Sequence, residues 1–235
     1  MNSPCRKLFP LLLLLLAITG VYTKNVRAQM NFSHYDEKLV HFGFLVGVNT
    51  SGFAMSLDDA VLERDDSLRY VRSGHGPGFQ LGVVSDLRLA KHTALRFTPT
   101  LMFLQRDMHY TYTRPSSDVR KSVQMANLDL PVLFKLRSDR IRNYKIYVVG
   151  GFKYSIDMAS QERVVDDVER VKLRRHDYSF DVGVGMDLYF PFFKMSPELR
   201  FSQGIRNTLV PEKHIYSAPL DALLGRTIIL SFHFE

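Results

Sequence analysis

The ten residues that end the chain, Arg226 to Glu235 (RTIILSFHFE), constrain its fold more than any other stretch. Apolar side chains recur at every second place, Ile228, Leu230, Phe232 and Phe234, and Thr227, Ser231 and His233 alternate with them, the period of a strand with two unlike faces. One face suits lipid and the other a polar lumen. In a bilayer every backbone N–H and C=O must be paired, so such a strand has to close a barrel against the first strand. Ile228, Leu230, Phe232 and Phe234 are therefore the expected barrel-closing positions.

At the other end, residues 1–28 read as a signal peptide: Arg6 and Lys7 precede an apolar run from Leu8 to Ile18 that is too short to span a bilayer, and Val26-Arg27-Ala28 offers a cleavage site. Cys5, before the apolar run, is the only cysteine and leaves with the signal. So do four basic residues, which leaves 27 basic against 24 acidic side chains, or +3. That modest charge, without a continuous Lys/Arg stripe, speaks against a nucleic-acid partner. Residues 29–40 read as a periplasmic lead-in and 41–235 as one barrel domain.

Eight strand-like stretches occur near 41–49, 78–88, 93–105, 124–136, 144–156, 178–189, 194–203 and 226–234, each close to the ~9–11 residues a tilted strand needs to cross the hydrocarbon core. The connections alternate in length: 50–77, 106–123, 157–177 and 204–225 are long, whereas 89–92, 137–143 and 190–193 are short. Bacterial single-chain barrels combine an even strand number with short periplasmic turns and long external loops. The expectation is thus an all-β fold, an eight-stranded antiparallel transmembrane β-barrel of outer-membrane type. It has four long external loops, three short periplasmic turns and both termini in the periplasm. A soluble lipocalin-like barrel has no physical reason for the alternation.

Parity assigns the faces. Leu128, Leu130, Val132, Phe134 and Leu136 meet lipid while Asn127, Asp129 and Lys135 turn inward; Phe180, Val182, Val184, Met186 and Leu188 oppose Asp181 and Asp187. Glu198 and Arg200 are inward, and Asp86, Arg88, Arg96 and Lys153 share the parity of the polar faces. Arg96, Asp129, Lys135, Asp181, Asp187, Glu198 and Arg200 form the expected lumen charge network, whose ordinary role in so narrow a barrel is structural, salt bridges filling the interior. Pro99 and Pro131 each remove a ladder donor and are read as bulge sites. Tyr144, Tyr189, Phe190, Phe192, Phe193, Phe232 and Phe234 are placed at one membrane rim, and Tyr110, Tyr112, Tyr154 and Tyr178 toward the other. Val164, Val165, Val168 and Val171, in the charged stretch 161–175, are spaced for a short amphipathic helix or a hairpin extension.

No GxSxG, P-loop, dinucleotide fingerprint or HExxH is present, and the eight histidines are scattered, so no enzyme, cofactor, metal site or small-molecule substrate is expected. A rim hydrolase assembled from different strands would draw on His109, His176, Asp177 and Ser179. His41 and His233, inward at the ends of the first and last strands, read as seam packing, with metal binding or pH sensing as the other use.

The terminal aromatic strand resembles the assembly signal of bacterial outer-membrane barrels, although Glu235 follows Phe234 where such signals most often stop. Asn127 to Lys135 (NLDLPVLFK) and Pro197 to Asn207 (PELRFSQGIRN) resemble small outer-membrane barrels with an L-[ED]-[IL]-P-x-x-x-K strand and an E-L-[RK]-[FY]-S-x-G-[IL]-x-N strand exit. With the HFGFLVGVN opening and the F-H-F ending, the chain is similar to the PorT family of the type IX (Por) secretion system. That resemblance implies export and maturation of secreted proteins such as cell-surface proteases. The partners it implies are outer-membrane lipid and other secretion-system proteins. A passive small porin or structural barrel, and a lipid A or protein hydrolase with a rim site, are the other two readings.

Overall fold

The computed structural model describes residues 38–57, 68–112, 119–158, 174–208 and 220–235. The expected signal peptide, the lead-in up to residue 37 and the four valines from 164 to 171 lie outside these. The described residues form antiparallel strands β1 (Val40–Leu57), β2 (Leu68–Arg88), β3 (Thr93–Phe97), β4 (Thr100–Tyr112), β5 (Val119–Arg137), β6 (Tyr144–Asp157), β7 (His176–Tyr189), β8 (Lys194–Gly204) and β9 (Leu220–Phe234). β3 and β4 are two halves of one span. Both lie between β2 and β5, and the pairing Phe97 with Ser85 is followed by Thr100 with Gly82 without change of register. The sheet therefore has eight spans. It is closed, because β1 pairs with β2 on one side and with β9 on the other.

The break between β3 and β4 has a chemical cause. The Pro99 carbonyl accepts from Val83 N at 3.0 Å and the Pro131 carbonyl from Thr98 N at 3.3 Å, yet neither proline has an N–H for the reciprocal bond. The Thr98 carbonyl takes the Thr100 hydroxyl instead, at 2.7 Å. The bulges expected at Pro99 and Pro131 are absent: register runs straight through both, with Pro131 opposite Lys153. A missing donor removes a bond, whereas a bulge needs an extra residue. Register shifts fall instead at Ser56/Leu57, Leu68/Tyr70 and His75/Phe79.

Paired residues traced around the wall lead from His41 through Asp86, Arg96, Leu133, Gly151, Asp181, Ser202 and Thr227 back to β1 at Ser51. The circuit returns ten residues further along the strand on which it began. Eight spans with a shear of ten tilt the strands by about 40° and set the backbone on a cylinder of about 8 Å radius. Side chains fill most of such a cylinder.

Outward positions carry the apolar belt, including Phe42, Phe44, Val46 and Val48 on β1, Val132, Phe134 and Leu136 on β5, and Ile228 and Leu230 on β9. Phe44 stacks on Phe234 across the β1–β9 seam at 5.1 Å. Beyond the belt several strands run on: β1 to Leu57, β4 to Tyr112, while β2, β5 and β9 begin at Leu68, Val119 and Leu220. Much of 50–77, 106–123 and 204–225, expected as loop, is therefore ladder. Outside lipid both faces meet water, so the backbone goes on pairing where no alternation of side chains announces it. The turns 89–92, 138–143 and 190–193 are short and share one end of the barrel.

Candidate functional site

The inward positions make the lumen, and it has two unlike halves. In the half nearer the short turns the hub is Arg96 on β3, fully buried. Its Nε and Nη2 donate to the two carboxylate oxygens of Asp86 at 2.6 and 2.8 Å, and its Nη1 donates to Glu198 Oε2 and to His233 Nδ1, both at 2.8 Å. A guanidinium can only donate, so His233 accepts at Nδ1 and presents its Nε2 to the Ser231 hydroxyl at 3.0 Å. The Tyr147 hydroxyl donates to Glu198 at 2.9 Å, and its ring lies 3.8 Å from Lys135 Nζ. Lys135 and the Ser196 hydroxyl both bond Asp187 Oδ1, at 2.9 and 2.7 Å. Below them Lys194 bonds Glu235 Oε2 at 2.7 Å, and the other oxygen of Glu235 lies 3.5 Å from Arg96. Seven of the eight spans, all but β1, thus meet in one layer. Gly185 leaves the room: a Cβ there would run into the Tyr147 ring.

The half nearer the long loops is charged but loosely joined. Lys153 Nζ is 3.2 Å from Asp129 Oδ2, an ion pair whose angles miss hydrogen-bond geometry. Arg200 Nε lies 3.6 Å from Asp181 Oδ2. Neither oxygen of Asp181, neither oxygen of Asp129 and neither amide atom of Gln80 has a hydrogen-bond partner among the described residues, although all three side chains are buried. Buried polar groups of this kind take water. Arg106 donates from Nε to Ser51 Oγ at 2.9 Å, and that hydroxyl is 2.9 Å from Thr227 Oγ1. Its guanidinium covers the Phe53 ring at 4.8 Å.

All seven side chains read from the sequence as lumen charges are buried inside. The structure brings Arg96, Lys135, Asp187 and Glu198 together, places Asp129 and Asp181 in the looser half, and sets Arg200 between, 4.0 Å from Glu198 Oε1. Lys194, Tyr147, Ser196 and Glu235 join them without having been singled out. Tyr189, assigned to the rim, instead points inward beneath the Arg140 guanidinium at 3.9 Å, as the odd positions of β7 do. Of the candidate hydrolase residues, His176 is exposed on the outer face with its Nδ1 2.7 Å from Tyr154 Oη, whereas Ser179 is buried on the inner one. His41 pairs in register with Asp86 and His233 with Leu45, so the two histidines are offset along the seam.

With this geometry in view, residues 27–210 match the family model for the outer membrane protein beta-barrel domain. The chain belongs to that family. It is an outer-membrane β-barrel, and the eight-span antiparallel fold expected from the sequence is the fold it has. No curated protein sequence matches it significantly. Solved structures similar to it include Neisserial surface protein A, 11% identical over 83% of this chain and 98% of that one with a TM-score of 0.43. OprG from Pseudomonas aeruginosa is 11% identical over 82% and 92%, at 0.45. Ail, the attachment invasion locus protein of Yersinia pestis, is 11% identical over 82% and 96%, at 0.35.

Proposed function

We propose that this barrel is a non-conducting outer-membrane component of a type IX (Por) protein secretion system, acting through surfaces offered to other proteins and not through a pore or a catalytic site. The observation that carries the reading is the Arg96 layer. Opposite charges bonded across a cylinder of about 8 Å radius leave no continuous water path, which disfavours a porin. The stretches 127–135 and 197–207 supply the resemblance to the PorT family. In this reading the short turns and both termini face the periplasm, as in single-chain barrels generally.

The test is a deletion strain. Secreted proteases should accumulate inside as unprocessed periplasmic precursors, while small-solute uptake and lipid A stay unchanged. Normal export together with a large stable conductance of the purified barrel would establish the porin instead, and altered lipid A with normal export the hydrolase. For orientation, a cysteine placed at exposed Arg206 should react with an impermeant maleimide on intact cells, and one at exposed Arg142 should not. The opposite labelling would invert the topology.

A further inference from the structure

Two charged side chains in the half of the lumen nearer the long loops have no counter-charge in contact among the described residues. Arg106, buried on β4, gives its Nε to the Ser51 hydroxyl, an uncharged acceptor, and lays its guanidinium over Phe53. Asp177, the second residue of β7, shares the inward parity of Ser179 and Asp181. The Tyr178 N–H bonds it, yet its Oδ1 is buried with no hydrogen-bond partner. Arg106 and Asp177 attract each other, and the next charges they feel are Asp129 for Arg106 and Lys153 for Asp177. Because β5 and β6 lie between their strands, the two face each other through the lumen and not along the wall.

The intervening strands supply the rest of the surroundings: Asn127 and Asp129 on β5, and Lys153 on β6. Neither oxygen of Asp129 nor the Oδ1 of Asn127 has a hydrogen-bond partner, although both side chains are buried. Four buried oxygens, two on Asp129 and one each on Asn127 and Asp177, thus lack donors beside a guanidinium that touches no carboxylate. Native interiors rarely leave so many groups unmet in one place. Arg106 and Lys153 balance Asp129 and Asp177, two charges of each sign, while Asp157, further out on β6, already has a partner. A guest with one net charge would upset that balance. Water can fill the gap but brings no counter-charge to either ion.

We infer that this part of the lumen binds a small zwitterion of the α-amino acid type, its carboxylate on the Arg106 guanidinium and its ammonium among Asp129, Asp177 and the Asn127 carbonyl. A guanidinium fork matches a carboxylate, and an ammonium only donates, which is what unmet oxygens require. Asp177 is only partly buried and stands at the strand end, so the site opens toward the long loops. The site is separate from the secretion reading, since it needs neither a partner protein nor a particular orientation in the membrane.

The full barrel in phosphatidylcholine nanodiscs would be titrated with glycine at constant ionic strength and followed by saturation-transfer NMR. Binding should saturate, and acetate and methylammonium, each offering one of the two charges, should compete at least about tenfold more weakly. Arg106→Gln and Asp177→Asn should each weaken glycine binding by about tenfold or more, because each leaves one end of the guest without its opposite charge. Arg226→Gln, on the exposed outer face, should leave it unchanged. Folding of each variant is checked by its shifted migration without heating; should R106Q fail to fold, D177N and the competition on the unaltered barrel still decide. Absence of saturable glycine binding would mean that the gap holds water only and would overturn the site. So would acetate or methylammonium binding as tightly as glycine, unaltered binding by D177N, or an equal loss in R226Q.

Discussion

The two halves of the lumen use the same residue types and hold them differently. Around Arg96 each carboxylate has at least one close donor, and the arginine touches Asp86, Glu198 and His233 at 2.8 Å or less. Around Asp181 and Asp129 the charges are balanced by Arg200 and Lys153, yet the carboxylate oxygens lack hydrogen bonds from the described residues. Balance of charge and closure are therefore separate properties. Only the first half is closed by hydrogen bonds; in the second the charges are paired without them.

Removing the hub should separate the halves most sharply. Arg96→Met leaves Asp86 and Glu198 buried without the cation that hydrogen-bonds both, which costs about 3–5 kcal/mol and should show as a lowered urea midpoint for the barrel in lipid vesicles. An unchanged midpoint would mean the layer does not hold the wall together. Next, Glu198→Gln should cost about 1.5–3 kcal/mol, because it weakens bonds from both Arg96 and Tyr147, while Asp181→Asn, with no such bonds to lose, should cost under about 1 kcal/mol. Equal costs would erase the distinction.

Conductance sharpens it further. Asp129→Asn with Asp181→Asn should leave the barrel closed in planar bilayers, whereas Glu198→Ala with Arg96→Ala should pass a measurable current. Current from the first pair alone would put the seal in the wrong half. The smallest effect is expected from the exposed pair at the rim. The hydrogen bond from Lys91, and then its charge, holds the Asp139 carboxyl below its ordinary value. A depressed carboxyl contributes above its unfolded pKa of about 4 and loses that contribution as pH falls through the folded value. Asp139→Asn should thus lower Tm by less than about 2 °C at pH 7, and by nothing near pH 2, since solvent screens so open a pair.

Much of this was legible in the sequence, for an identifiable reason. In lipid a strand must alternate, so Leu128 to Leu136 and Phe180 to Leu188 declare their faces, and Asp129, Lys135, Asp181 and Asp187 follow as inward residues. Who meets whom was not legible. That Arg96 reaches Asp86 on a neighbouring strand and also Glu198 across the lumen depends on the stagger of all eight spans, which no single strand carries. Glu235 reads as a departure from a terminal aromatic; in the fold its side chain turns in to Lys194 and Arg96. Above the belt the pattern fades, and the ladder from Thr50 to Leu57 continues without it.

The stagger sets the bore. If β9 were to slip by two residues against β1, every side chain would keep its face, and neither hydropathy nor parity would register an error. The circuit would then return eight residues along β1 instead of ten, the tilt would fall to about 35°, and the radius would shrink by roughly half an ångström. A lumen that holds Arg96, Lys135 and Tyr147 side by side has no slack to absorb that. The packed interior thereby acts as a gauge: only one closure of the wall admits it, and the charges that fill the bore also decide how wide the bore can be.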